Sequence, residues 1–196
     1  MRRICFVLAL SAFCAHSVFA QSEYSRHELG GSVLVAGADT KGAFNNDKSR
    51  DGLFGFSIQS AYNISRFWGL EGEFSYFLKQ FEPSSVFPTS SRLTQIMGGI
   101  KLQDNAHTTR FRPFTQALVG VAHTSNLARV LQETSTSRTV AIISGTGPAI
   151  ALGGGLDIRL TRKLDIRALQ IDYNPVWAKG ETFQNVRIGI GLNFRF

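Results

Sequence analysis

Apolar side chains recur at every second position over eight stretches of this chain, each long enough for one strand. The last is the cleanest: Val186, Ile188, Ile190, Leu192, Phe194 and Phe196 alternate with Arg187, Gly189, Gly191, Asn193 and Arg195. Successive side chains of a strand point to opposite faces, so this alternation builds one apolar and one polar face. The same reading predicts strands at Arg26–Ala36, Phe54–Ile64, Trp68–Lys79, Leu93–Leu102, Arg112–His123, Ile150–Leu160 and Leu164–Tyr173. In the second of these, Phe54, Phe56, Ile58, Tyr62 and Ile64 oppose Gly55, Ser57, Gln59 and Asn63. Arg112–His123 is apolar in both parities, and Ala117, Val119 and Val121 are assigned outward. Leu164–Tyr173 starts with Asp165 and Arg167 on the polar face, yet the same phase would carry Asp172 to the apolar one. Either a bulge shifts the register or Asp172 lies at a rim.

Strands with an apolar outside and a polar inside, about 9–11 residues long, suit the wall of a transmembrane barrel. The connections fit the same picture. Ser65-Arg66-Phe67 and Thr161-Arg162-Lys163 are tight turns, and Gln103–Phe111 is somewhat longer. Gly37–Leu53, Gln80–Arg92, Thr124–Pro148 and Asn174–Phe183 read as long loops, rich in Gly, Ser, Asn, Asp and Thr. Such alternation predicts short periplasmic turns, longer external loops and both termini in the periplasm. Aromatic girdles are expected from Phe67, Trp68, Phe111, Phe194 and Phe196 at the inner rim, and from Phe77, Phe81, Tyr173 and Trp177 at the outer one. The predicted fold class is all-β: an eight-stranded, antiparallel, up-and-down transmembrane barrel.

The N-terminus adds a destination. Met1-Arg2-Arg3, an apolar run from Ile4 to Phe13 and Val18-Phe19-Ala20 have the form of a secretory signal peptide, residues 1–20, leaving 21–196 as the barrel domain. Both cysteines, Cys5 and Cys14, lie in that segment, so the mature chain has neither disulfide nor thiol chemistry. Phe13 before Cys14 speaks against a lipoprotein site. The formal charge is +7, to which Arg2 and Arg3 contribute two. The remaining cations form no basic block, so nucleic acid is not an expected partner. Sixteen Phe without a long apolar run suit strands that offer lipid every second residue.

Four stretches carry a family resemblance. They are Tyr62–Glu73, Arg112-Pro113-Phe114 with Gly120, Gly153-Gly154-Gly155-Leu156-Asp157, and the terminal strand. Through them the chain resembles the eight-stranded outer-membrane barrels of the OmpA and OmpX type over nearly its whole mature length. The resemblance implies a monomer in the bacterial outer membrane, in contact with its lipids and lipopolysaccharide. It also implies delivery by periplasmic chaperones to the barrel-insertion machinery, which would read Ile190, Leu192, Phe194 and Phe196 as the signal. No peptidoglycan-binding domain is expected after the barrel, so wall anchoring is not carried over.

Strand parity places Glu71, Glu73, Lys79, Lys101, Asp157, Arg159, Asp165, Arg167, Arg187 and Arg195 inside. Buried ions are costly unless paired, so the first reading is a salt-bridge network filling the lumen. Glu71 and Glu73 are expected to bind Arg187 or Arg159. The runner-up is a narrow, low-conductance pore that opens when pairs exchange partners. A third reading comes from His123-Thr124-Ser125-Asn126, which resembles the His-x-Ser-Asn motif of outer-membrane lipid A deacylases. That resemblance would make Ser125 the nucleophile and His123 its base. Ser137 stands where that family has its acid, and Glu133 would have to act from within a loop. No metal site and no cofactor are expected, because His27 and His107 lack ligand spacing and Gly153–Gly155 is no phosphate loop. Glycine there is expected to make room for a bulky lumen neighbour or a bend. The strand pattern yields a first test: deleting Phe196 should leave the protein in the periplasm, and normal membrane levels of the truncated chain, by fractionation, would refute the signal.

Overall fold

The computed structural model describes residues 24–39, 51–79, 91–106, 108–134, 137–178 and 181–196. The signal segment, His107, Phe81 and most of the first two loops lie outside these residues. The elements are β1 (His27–Asp39), β2 (Asp51–Asn63), β3 (Trp68–Lys79), β4 (Ser91–Gln103), β5 (Phe111–Thr134), β6 (Ser137–Arg159), β7 (Leu164–Ala178) and β8 (Glu181–Arg195). They form a closed barrel in chain order, every neighbour antiparallel, with β1 paired to β8. Within the barrel wall no sheet edge is left open, which is what hydrocarbon demands of a spanning sheet, since lipid satisfies no backbone N–H or C=O.

The outer wall is apolar. Val33, Phe56, Ile58, Leu70, Ile96, Val119, Ile188 and Ile190 are among its exposed side chains. A continuous apolar surface of this kind belongs in lipid rather than water. At the end carrying the tight turns, Phe67, Trp68, Phe111, Phe194 and Phe196 are exposed as a ring. Arg66 lies 5.0 Å from the Phe67 centroid and Arg110 lies 6.0 Å from that of Phe111, each cation within reach of its ring face.

Several expectations are corrected. Thr124–Pro148 is not a loop: β5 runs on to Thr134 and β6 starts at Ser137, extending as one hairpin beyond the neighbouring strands. The β-branched run Thr139-Val140-Ala141-Ile142-Ile143 was a strand signal hidden among Ser and Gly. β7 and β8 likewise consume most of Asn174–Phe183. Phe77, assigned to the outer girdle, is fully buried and points into the lumen. It has the parity of Glu73 and Ser75, so backbone phase overrides the preference of an aromatic for the interface.

The bulge in β7 is real. Arg167 pairs with Gly191 and Gln170 with Gly189, so Ala168 and Leu169 together face Ile190. The extra residue flips the phase: Leu169, Ile171 and Tyr173 face outward, while Asp172 is fully buried. It is therefore not a rim residue.

The lumen has two unlike halves. Toward the loop end, Leu34, Ala36, Leu53, Phe77, Leu93, Leu118, Ala122, Ala149, Ala151, Val176 and Phe183 form one buried apolar cluster. This explains why both parities of Arg112–His123 are apolar. Leu118 and Ala122 pack inside that cluster, whereas Val119 and Val121 are exposed on the outer wall, as the outward assignment had it. The polar half lies toward the turns. Phe77→Ala should cost about 3–5 kcal/mol, as core aromatic truncations do. The check is the urea midpoint in micelles, where an unchanged midpoint would deny that the cluster is packed.

Candidate functional site

Charged and amide side chains from all eight strands fill the turn-side half of the lumen. Among the described residues the acids Glu28, Glu71, Glu73, Asp157, Asp165 and Asp172 are matched in number by Lys101, Arg112, Arg159, Arg167, Arg187 and Arg195. The central layer is built on Arg187, which reaches across from β8 to Glu73 on β3 at 2.5 Å and to Asp172 on β7 at 2.9 Å. Asp172 also accepts from Gln170 at 2.7 Å and from Gln116 at 2.9 Å. This is the pairing expected of Glu73.

One layer nearer the turns, Arg167 donates to Asp157 at 3.0 Å, and Asn193 and Gln103 complete that carboxylate. The Arg167 guanidinium stacks 4.3 Å from the Phe114 centroid, with Lys101 at 5.5 Å from the same ring. Gly155 makes this stack possible: a Cβ there would stand 2.8 Å from Phe114 Cε1 and 1.9 Å from the Leu169 carbonyl oxygen. Gly153 does the same for Asp172. Lowest of all, Glu28 accepts from Lys101 at 2.7 Å and faces Arg112 at 3.3 Å and Arg195 at 3.4 Å. Asp165 contacts Arg112 directly and lies 3.7 Å from both Arg159 and Arg195.

The β4–β5 turn closes this end. Three consecutive carbonyls receive three arginines from inside the barrel: Arg112 to Asp104 at 2.8 Å, Arg195 to Asn105 at 2.9 Å and Arg159 to Ala106 at 2.9 Å. Asn105 is buried beneath the turn and accepts from Arg112 through its side chain. From outside, Arg66 grips Asp104 with two bonds of 2.8 and 3.0 Å, and holds that carboxyl well below the usual carboxylate range. Tyr24 bridges to Ala106 across the mouth.

The sequence reading thus named most of the charges brought together here. Glu28, Arg112 and the turn carbonyls escaped it. Glu28 has the inward parity opposite Leu29 and could have been found. The turn could not, because a carbonyl clamp leaves no trace in residue type. Arg159 meets Asp165 rather than Glu71 or Glu73, and Glu71 meets none of the arginines at ion-pair distance among the described residues. The Lys79 side chain lies outside them.

On the outward face near the loop end sits a second constellation. Ser125 Oγ is 3.2 Å from His123 Nε2, and His123 Nδ1 is 2.8 Å from Thr146 Oγ1 on β6. When Nε2 accepts the serine proton, Nδ1–H donates to the Thr146 hydroxyl, a triad geometry with a neutral third member. Glu133, expected in a loop, lies in β5 with its backbone opposite Arg138, and its side chain is outside the described residues. No group of His, Cys, Asp and Glu suited to a metal occurs among the described residues.

A closed eight-stranded barrel with an apolar wall and an ion-paired interior is the architecture of outer-membrane barrels. The chain belongs to the family described as outer membrane protein beta-barrel domain, whose sequence profile matches residues 5–196. Among solved structures it is similar to the attachment invasion locus protein Ail of Yersinia pestis, with 15% identity, a TM-score of 0.57, and coverage of 88% of this chain and 99% of that one. It is also similar to Neisserial surface protein A, with 13% identity, a TM-score of 0.59, and coverage of 87% and 97%. At such identities the likeness is one of fold. No curated protein matches the chain by sequence.

The central layer gives a sharp test. Losing one partner of a buried pair strands the other charge and typically costs about 3–5 kcal/mol. Glu73→Ala and Arg187→Ala should each lower the unfolding midpoint, and the double variant should lose less than the sum. Strict additivity would mean that the two side chains do not pair.

Proposed function

We propose that the protein is an integral component of the bacterial outer membrane that acts through its loop-end surface, as a structural or surface-interaction barrel, with its lumen filled rather than conducting. One observation carries this reading. The lumen is closed twice, by the apolar cluster toward the loops and by the arginine-clamped turn at the other end. An eight-stranded interior is only wide enough for side chains to fill, so function falls to the outside. After removal of residues 1–20 the chain would insert as a monomer, with the loop end and its extended β5–β6 hairpin facing outward. The net charge of the chain is positive, which suits an anionic lipopolysaccharide surface. A structure of the Ail barrel in complex with the heparin analogue sucrose octasulfate supports anionic saccharides as the ligand class to try first.

The alternative is a small pore, which requires both closures to move. Planar bilayers decide between the two: the refolded protein should give no stable channel openings, and large, lasting single-channel currents would end the filled-lumen reading. A further reading rests on the outward His123–Ser125 contact, which has the geometry of a base and a nucleophile facing the lipid layer. As a lipid A deacylase, Ser125 would attack an acyl ester while His123 took its proton and passed it to the departing lipid A hydroxyl. Water would then hydrolyse the acyl-Ser125 ester, with Thr146 orienting the ring throughout. A hydroxyl orients an imidazole but does not stabilise the imidazolium as a carboxylate does, so this reading ranks below the surface role. Expression should leave the mass of lipid A unchanged. Loss of one acyl chain that Ser125→Ala abolishes would make the protein an enzyme.

A further inference from the structure

The ion pairing of the lower lumen omits one carboxylate. Glu71 is only 4% exposed, and neither of its oxygens has a hydrogen-bond partner among the described residues. Its face-mate Glu73 holds Arg187, and Lys101 donates to Glu28 instead. Beside Glu71 lies a cavity of about 10 Å³, bordered by Glu28, Gln59, Lys101, Arg167 and Asn193. That is room for one water and for nothing larger.

We propose that this cavity is a binding site for a single ordered water, which donates to the Glu71 carboxylate and accepts from the Lys101 ammonium. Donor counting leads there. An ionised carboxylate only accepts, and a buried one without a donor is among the costliest arrangements in a protein. Lys101 carries three N–H groups, of which Glu28 takes one. Arg167 is already engaged with Asp157, Gln59 and Gln170, and Asn193 with Asp157. A water supplies the missing donor to Glu71 and uses a spare proton of Lys101, which meets the two to four polar partners an internal water needs. The lining carries two carboxylates, Glu28 and Glu71, and two cations, Lys101 and Arg167, a balance that suits a neutral ligand better than an ion of either sign. The site lies between the turn clamp below and the apolar cluster above.

The test is water-edited solid-state NMR on the uniformly ¹³C,¹⁵N-labelled protein in lipid bilayers, with the bulk water of the sample as the probe. Magnetisation from long-lived water should reach Glu71 Cδ far more strongly than Asp157 Cγ, an equally buried carboxyl whose donors are side chains. Glu71→Gln, which keeps an acceptor oxygen, should retain the transfer at its own Cδ. Equal, weak transfer at both carboxyls of the wild type would overturn the proposal, as would a strong direct coupling between Lys101 Nζ and Glu71 Cδ. Transfer that changes when sodium chloride is exchanged for potassium acetate would also overturn it, because an ion would then hold the site.

Discussion

Closure of the sheet is the constraint on which everything else in this protein depends. In hydrocarbon a backbone amide finds no partner outside the sheet, so β1 must meet β8 and the strands must all pair. Eight strands then fix a narrow interior. Whatever the inward parity of each strand supplies has to fill that space, and any charge among it must find its counterpart there. The outward parity has a simpler task, to be apolar at mid-height and aromatic at the rims.

The interior meets this demand in two ways along one axis. Toward the loops it is packed like the core of a water-soluble protein, with Leu34, Phe77, Leu118 and Val176 in contact and no ion among them. Toward the turns it is ionic, with each arginine shared among several acceptors rather than bound to one. Arg187 joins Glu73 to Asp172, and Arg112 joins Glu28, Asp165 and the β4–β5 turn. Sharing matters because a lone ion pair hardly recovers its desolvation cost, whereas a fully hydrogen-bonded network can. Such a network also fixes register, since sliding one strand by a residue would carry its charges into lipid.

The outward triad of Ser125, His123 and Thr146 shows how the same strand geometry can place reactive groups by parity alone. His123 and Ser125 share a face because they are two residues apart, and Thr146 joins them because β6 pairs with β5 in that register. Contact of this sort is sufficient for a hydrogen bond. Chemistry would need an acceptor of charge behind the histidine, and the described residues put a neutral hydroxyl there.

Alternation by itself determined that there are eight strands, which face of most of them is the outer one, and that Glu73, Asp157, Arg167 and Arg187 point inward. It could do so because lipid on one side and a narrow lumen on the other impose a period of two that no propensity term disturbs. It could not determine where that period breaks. The bulge at Ala168 and Leu169, which takes Asp172 inside, is a local slip whose alternative was equally consistent with the residues. Its phase did carry Phe77 inward with Glu73 and Ser75, but the preference of an aromatic for a rim pointed the other way, and only the packed lumen shows which one wins. The clamp on Asp104, Asn105 and Ala106 was decided by tertiary structure alone, for its acceptors are backbone carbonyls and its donors come from three different strands. Partners across a lumen are set by stagger and curvature of the closed sheet, and those are properties of the barrel rather than of any one strand.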